Sequence, residues 1–563
     1  MSRIFFAFLS ITLLIFSCKD SNEHAHYNIT KSAIGEEAMV VTAHPEATRI
    51  GIEILKKGGN AVDAAIAIQF ALAVCYPVAG NIGGGGFMVY RDKDGNTFAL
   101  DYREKAPMKA SENMYLDKSG NPIKNLSTLG HLAAGVPGTV DGMVEAFDRF
   151  SKLKDWKALV QPSIDLALNG VVLTEREARN LNNSVDKFKA HNTIDHVFMH
   201  GGWLTGDILI QTDLGHTLKE IRDKGRNGFY DGKTANFILG EMRRGHGLIS
   251  LEDLKNYKSV WREPITFQYR GYKVISMPPP SSGGAALAQL LKTIEPYNLG
   301  EMGFHTTESV HLMIEAEKRA YADRATYLGD PDFFDIPISG LIDSMYIANR
   351  FSDFDPKVAT SVHLIQAGSP EKEQTTHYSI IDNEGNSLSM TTTLNGGYGA
   401  YTIVGHAGFL LNNEMDDFSI KPGYPNMYGL IGAEVNKIEP GKRMLSSMTP
   451  TIIEKDGKVI LIVGTPGGST IITSIFQTIV NIIDFNMSAI EAVSAPRFHH
   501  QWVPEDVFVE ELFPVLIRNS LSEMGHKVTE RSNIGRVEAI LIRADGKIEG
   551  AADPRGDDDA KGY

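Results

Sequence analysis

The chain has 563 residues, of which 42% are hydrophobic, enough to bury a large core. Its 55 basic and 69 acidic residues give a formal charge of −14 with no long run of one sign. That balance lacks the basic footprint of a nucleic-acid binder and makes small-molecule chemistry the better expectation.

At the N-terminus, Arg3 precedes an apolar run over residues 4–16 and then Ser17-Cys18-Lys19. Residues 1–17 read as a signal peptide of lipoprotein type, with Cys18 as the lipid-bearing first residue. A plain secretory peptide fits the same pattern, and in either case the protein is exported. The run is too short to span a bilayer. With Cys18 acylated, Cys75 has no intramolecular partner and is expected as a small buried hydrophobe. Residues 18–31 read as a polar tether.

Beyond the tether, residues 47–57 and 61–75 repeat apolar positions at helical spacing, separated by Gly58-Gly59 as a stop and Asn60 as an N-cap. Four β-hairpins follow from alternation around Asp/Asn and Gly turns: residues 87–102, 378–394, 451–463 and 537–550. Residues 140–254 are mainly helical by pattern, and the Pro-Ser-Gly loop at 278–284 leads into an apolar helix over 285–294. Hairpins at both ends of the chain predict antiparallel sheets built from distant segments in one domain, within an α+β layered sandwich.

Several common chemistries lose support. The chain has no Gly-x-Ser-x-Gly, His-Glu-x-x-His or Cys-x-x-Cys, and Gly83 to Gly86 lacks the spacing of a dinucleotide or phosphate loop. His499-His500 has no second ligand cluster at metal spacing, so a packing role is expected there and no metal is assigned.

Five blocks occur in order: Gln374-Thr375-Thr376-His377-Tyr378; Thr393-Leu394-Asn395; Asn412-Asn413-Glu414-Met415-Asp416-Asp417; Leu445-Ser446-Ser447-Met448; and Gly464-Thr465-Pro466-Gly467-Gly468-Ser469. Together with Asp101-Tyr102-Arg103-Glu104 they resemble the gamma-glutamyltranspeptidase family, over nearly everything after the tether. The resemblance implies an N-terminal nucleophile hydrolase fold, a four-layer αββα sandwich with two stacked, mainly antiparallel sheets. It also implies self-cleavage between Gln374 and Thr375, giving a large subunit of residues 32–374 and a small one of 375–563 that remain together as a two-chain unit.

The chemistry of those residues is consistent with that implication. A threonine hydroxyl needs an adjacent base, and once Thr375 is N-terminal its own α-amino group can be that base near neutral pH. The resemblance gives Thr393 the task of orienting that amino group, and Gly467 and Gly468 the oxyanion hole. Independently, an apolar strand, a glycine turn and an apolar helix over 469–485 place those two glycines at a helix N-terminus, which favours negative charge.

By resemblance, Arg103 with Ser446 and Ser447 receives the substrate α-carboxylate, while Asn395, Glu414 and Asp417 receive its α-ammonium. Thr393 and Asn395 are expected on one strand face by the period of two. The connection over 421–444 resembles a lid loop, with Tyr428 partly closing the pocket. The implied reaction moves a gamma-glutamyl group from glutathione or a related donor to water or to an acceptor amino acid or peptide, without metal or organic cofactor. A related acylase acting on glutaryl side chains, and an unprocessed surface-tethered binding protein, remain as alternatives.

Overall fold

The computed structural model describes residues 27–365 and 375–563. The expected signal segment, Cys18 and Gln374 lie outside the described residues. Among the described residues no helix is long and apolar enough to cross a membrane.

All four expected hairpins form. Gly85–Arg91 pairs with Thr97–Asp101, Thr376–Ile381 with Ser387–Thr393, Thr451–Lys455 with Lys458–Gly464, and Glu538–Ile542 with Ile548–Ala552. They enter two seven-stranded sheets. In one, the neighbours in order are Asp559–Gly562, Met39–Thr42, Thr376–Ile381, Ser387–Thr393, Gly85–Arg91, Thr97–Asp101 and Val260–Arg262. In the other they are Ser32–Gly35, Ile548–Ala552, Glu538–Ile542, Lys458–Gly464, Thr451–Lys455, Tyr272–Ser276 and Ile265–Tyr269. Both sheets combine strands from before and after residue 375, so neither half supplies a complete sheet without the other.

Side-chain alternation separates the layers. Tyr378, Ile380, Leu388 and Met390 join the helices Pro45–Lys56 and Ala61–Cys75 in one core. The opposite face puts Val41, Phe87 and Val89 into a second core with Ile452, Ile462 and the helices Gly283–Ile294 and Thr470–Ile483. The result is helix, sheet, sheet, helix. Helix Ala61–Cys75 begins where its sequence indicates: the Asn60 side chain accepts from Asp63 N, and the Asp63 carboxylate accepts from Asn60 N. It is buried on every side, and Cys75 within it is a buried free thiol.

Two expectations change. The tether ends earlier than residue 31, because Lys31 Nζ donates to the carbonyls of Asp553, Gly556 and Asp558 and Thr30 N donates to Asp559 Oδ1. The hairpin Ile265–Tyr269 with Tyr272–Ser276 lies outside the four read from the sequence. Its turn, Arg270-Gly271, has both residues at positive φ (53° and 78°), the geometry of a type I′ turn without its usual Asn or Asp.

Candidate active site

Thr375 sits at the start of the central strand Thr376–Ile381, and the pairing of Thr376 with Thr392 continues so as to bring Thr375 opposite Thr393. Their hydroxyl oxygens are 3.3 Å apart, and both residues are buried. Asn395 is not on the strand face with Thr393, as the period of two had suggested. The strand stops at Thr393, and Asn395 takes a left-handed conformation (φ 70°) in which its N–H donates to Thr393 Oγ1 at 2.7 Å. A turn, not a pleat, joins the two residues. The Asn395 side chain in turn donates to Asn413 O.

Next to Thr375 lies a charged cluster. Arg103, two residues past the strand Thr97–Asp101, is held by its own N–H to Asp101 Oδ1 and by Tyr257 OH donating to its carbonyl. Glu414–Asp417 is a single 3-10 turn, which stacks residues three apart on one side and so presents Glu414 and Asp417 together. Both meet Arg103, each at 2.5 Å, and Glu104 stands 3.6 Å from the same guanidinium. Across the cavity, Ser446 is fixed by its N–H to Pro280 O and by Ser282 Oγ donating to its carbonyl. Tyr428 completes the lining, buried, with its loop tied down by Asn426 Nδ2 to Asp417 Oδ1 and Met427 N to Asp416 Oδ2.

The family model of gamma-glutamyltranspeptidase matches residues 47–563 of this sequence. The chain belongs to the gamma-glutamyltranspeptidase family. The glutathione hydrolase proenzyme of Escherichia coli K12 is 44% identical over 530 residues, covering 93% of this chain and 91% of that one. The glutathione hydrolase proenzyme of Pseudomonas sp. A14 is 46% identical over 556 residues, 96% of each. Among solved structures, a cephalosporin acylase from Bacillus halodurans superposes with a TM-score of 0.84 at 26% identity, covering 97% of this chain and 99% of that one. The gamma-glutamyltranspeptidase of Helicobacter pylori is 43% identical with a TM-score of 0.56, over 57% of this chain and 93% of that one. The fold is the N-terminal nucleophile hydrolase sandwich expected from the sequence.

In this transpeptidase-family chain the glycine turn has an orientation that follows from its bonds. Thr470 donates to Gly467 O through both its N–H and its hydroxyl, which turns that carbonyl into the helix Thr470–Ile483. In a trans peptide the N–H opposes the C=O, so Gly468 N–H points away from the helix. Gly468 lines the same cavity as Thr375, and its φ of 48° is one that glycine adopts at no cost.

Burial dominates the electrostatics. It pushes the Glu104 carboxyl up to about 8 and the Glu414 and Asp417 carboxyls upward, each against the pull of Arg103. His377 is lowered to about 3 by burial and is therefore neutral; its ring nitrogens meet Thr391 Oγ1 and Ser379 Oγ between the sheets. His499 and His500 are likewise buried and neutral, with His499 Nδ1 on Thr473 and the His500 N–H on Glu317.

One residue of the cavity had no signal in the motif blocks. Arg324, on helix Thr307–Tyr327, is 4% exposed and donates to Ser282 Oγ at 2.9 Å and Ser447 Oγ at 3.0 Å. Among the described residues no carboxylate lies within ion-pair distance of it. The available hint is that this helix buries Glu315, Glu317, Lys318, Arg319, Asp323 and Arg324 together, so its charges face inward.

Proposed function

We propose that the chain is a self-processing gamma-glutamyl hydrolase and transferase acting on glutathione-type donors. The carrying observation is the placing of Thr375 and Thr393, 3.3 Å apart, in one cavity with a cation (Arg103), two serines (Ser446 and Ser447) and two carboxylates (Glu414 and Asp417).

In the intact chain the nitrogen of Thr375 is an amide and cannot act as a base. Thr375 Oγ1 attacks the carbonyl carbon of Gln374, the C–N bond breaks as the nitrogen takes a proton, and water hydrolyses the ester. The freed α-amino group then serves as base for the same hydroxyl, with Thr393 orienting it. A donor places its α-carboxylate on Arg103, Ser446 and Ser447 and its α-ammonium on Asn395, Glu414 and Asp417. Thr375 attacks the gamma-carbonyl, Gly468 N–H with its neighbour Gly467 receives the oxyanion, and the amine leaves with a proton. Water or an acceptor amine resolves the ester. No step calls for a metal or organic cofactor.

The Pseudomonas sp. SE83 relative named acylase ACY 1 proenzyme is 37% identical over 94% of each chain, so an acylase reading shares this scaffold. Three buried carboxylates about a single arginine favour a donor carrying its own ammonium, which a glutaryl group lacks. The apolar segment over residues 4–16 with Cys18 supports export as a lipid-anchored protein.

Denaturing electrophoresis of purified protein tests the reading. Two fragments meeting at Gln374 and Thr375, with release of p-nitroaniline from gamma-glutamyl-p-nitroanilide, are expected, and Thr375→Ala should remain one inactive chain. A wild type that stays intact and inert would sink it.

A further inference from the structure

Tyr27 and the residues just after it are fastened to the body of the protein. The Tyr27 ring stands edge-on to His44 at 5.0 Å, and its hydroxyl lies against the Val172 backbone. Thr30 and Lys31 then bond to the segment over residues 553–559. Cys18, the lipid-bearing residue of the export reading, precedes Tyr27 by nine residues, which cannot span more than about 30 Å. A domain of this size is roughly 60 Å across. A chain anchored at Cys18 can therefore bring only its Tyr27 side to the bilayer.

That side carries an exposed apolar face. Val171–Val172 pairs with Ile208–Leu209, and Val172, the residue against the Tyr27 hydroxyl, stands opposite Ile208. The pleat turns Leu209 inward, where it is buried, and Ile208 and Ile210 outward, where they are 57% and 47% exposed. Both lie over Gly170, where an added Cβ would meet each of them, so the two side chains adjoin. Leu204, in the turn that leads into this strand, is 64% exposed. Beside it the Trp203 ring packs partly against the first core, with its indole N–H donating to His200 O at 3.0 Å.

Adjoining apolar side chains left in water mark a contact surface. The tether does not supply the cover: Lys19-Asp20-Ser21-Asn22-Glu23-His24-Ala25-His26 holds one apolar residue, Ala25. We propose that Leu204, Ile208 and Ile210 rest in the headgroup and upper acyl region of the bilayer that holds the lipid on Cys18. Trp203, with an apolar ring and a satisfied N–H, suits the same depth. The inference rests on the export reading of Cys18 and adds the face that the anchored protein turns to the lipid. The lipid holds the protein at the membrane, and this shallow contact fixes its orientation there.

The test uses the full protein, purified from membranes and reconstituted into phosphatidylcholine vesicles with and without bromine on the acyl chains, which quenches tryptophan only on contact. Brominated lipid should quench the wild type, and Trp203→Phe should remove that quenching, because the other three tryptophans lie elsewhere. Ile208→Asn combined with Ile210→Asn should lose most of it. Met345→Asn should keep it: Met345 is 76% exposed on helix Ser344–Arg350, whose Tyr346 packs into the second core, on the opposite helical layer. Unchanged turnover of gamma-glutamyl-p-nitroanilide checks that each variant folds. A wild type that brominated lipid does not quench, or equal quenching in the double variant, would overturn the proposal. So would a concentration-dependent dimer in detergent that the double variant loses, which would give the face to a second copy of the chain. A Cys18 that takes up no labelled palmitate in cells would overturn the anchor reading instead, and this proposal with it.

Discussion

Arg103 and Asp417 stand 2.5 Å apart, and Glu414 meets the same guanidinium at 2.5 Å, so the cation and the anions of the pocket hold one another. The space left among the lining residues is about 20 Å³, room for about one water molecule and not for an amino-acid donor. A zwitterionic donor would therefore exchange an internal ion pair for its own two charges. Charge for charge the exchange is balanced, which keeps the desolvation cost of the empty clamp low and makes recognition depend on both substrate charges arriving together.

Removing one partner unbalances that cluster. Arg103→Gln should destabilise the fold by about 3–5 kcal/mol, because Glu414 and Asp417 are then left buried against each other. Chemical denaturation measures the loss, and an unchanged midpoint and slope would show that the cluster is not buried as described.

The same cluster predicts a pH dependence. Burial raises the Glu104 carboxyl from 4.5 to about 8, so the folded state holds a proton that the unfolded chain releases earlier. Its stabilising contribution is complete below pH 4.5 and is lost as the pH rises toward 8. Stability by urea denaturation should fall over that window, and Glu104→Gln should flatten the slope. Equal slopes in variant and wild type would remove Glu104 from the account.

Thr393 offers a sharper test of the nucleophile. Its Oγ1 accepts from Asn395 N and stands 3.3 Å from Thr375 Oγ1. Thr393→Val should keep the β-branched shape while slowing both self-cleavage and turnover by roughly 10²-fold, within the range for removing a positioned catalytic partner. Thr393→Ser should restore most of it. A time course of fragment appearance on denaturing gels, beside p-nitroaniline release, separates the two effects.

How far the sequence reveals this site varies with the kind of signal. Asn60 and the four Asp- or Asn-containing turns are local, and the structure realises each of them. Arg270-Gly271 makes the same kind of turn with an arginine at the strained position, so its hairpin carries no comparable mark. Alternation does not relate Thr393 to Asn395, because it holds only while a strand continues, and this one ends at Thr393. Arg324 lies far from every motif block in sequence; only the packing of helix Thr307–Tyr327 brings it to Ser447.

Arg324 supplies the last prediction. Its fully buried guanidinium is lowered by burial to about 10, so it remains charged at neutral pH. By donating to Ser447 Oγ it fills an acceptor site of that hydroxyl and leaves the hydroxyl proton to be donated into the cavity. Its second bond, to Ser282, holds the residue that donates to Ser446 O, so one planar group sets both serines. Lysine cannot reproduce that fork. Arg324→Lys should therefore raise KM for gamma-glutamyl-p-nitroanilide by about tenfold with a smaller change in kcat, the size of one charge-assisted hydrogen bond. For 4-aminobutyryl-p-nitroanilide, which keeps the amine and lacks the α-carboxylate, the same substitution should change KM little. Equal losses on the two donors would mean that Arg324 supports the fold and not carboxylate recognition.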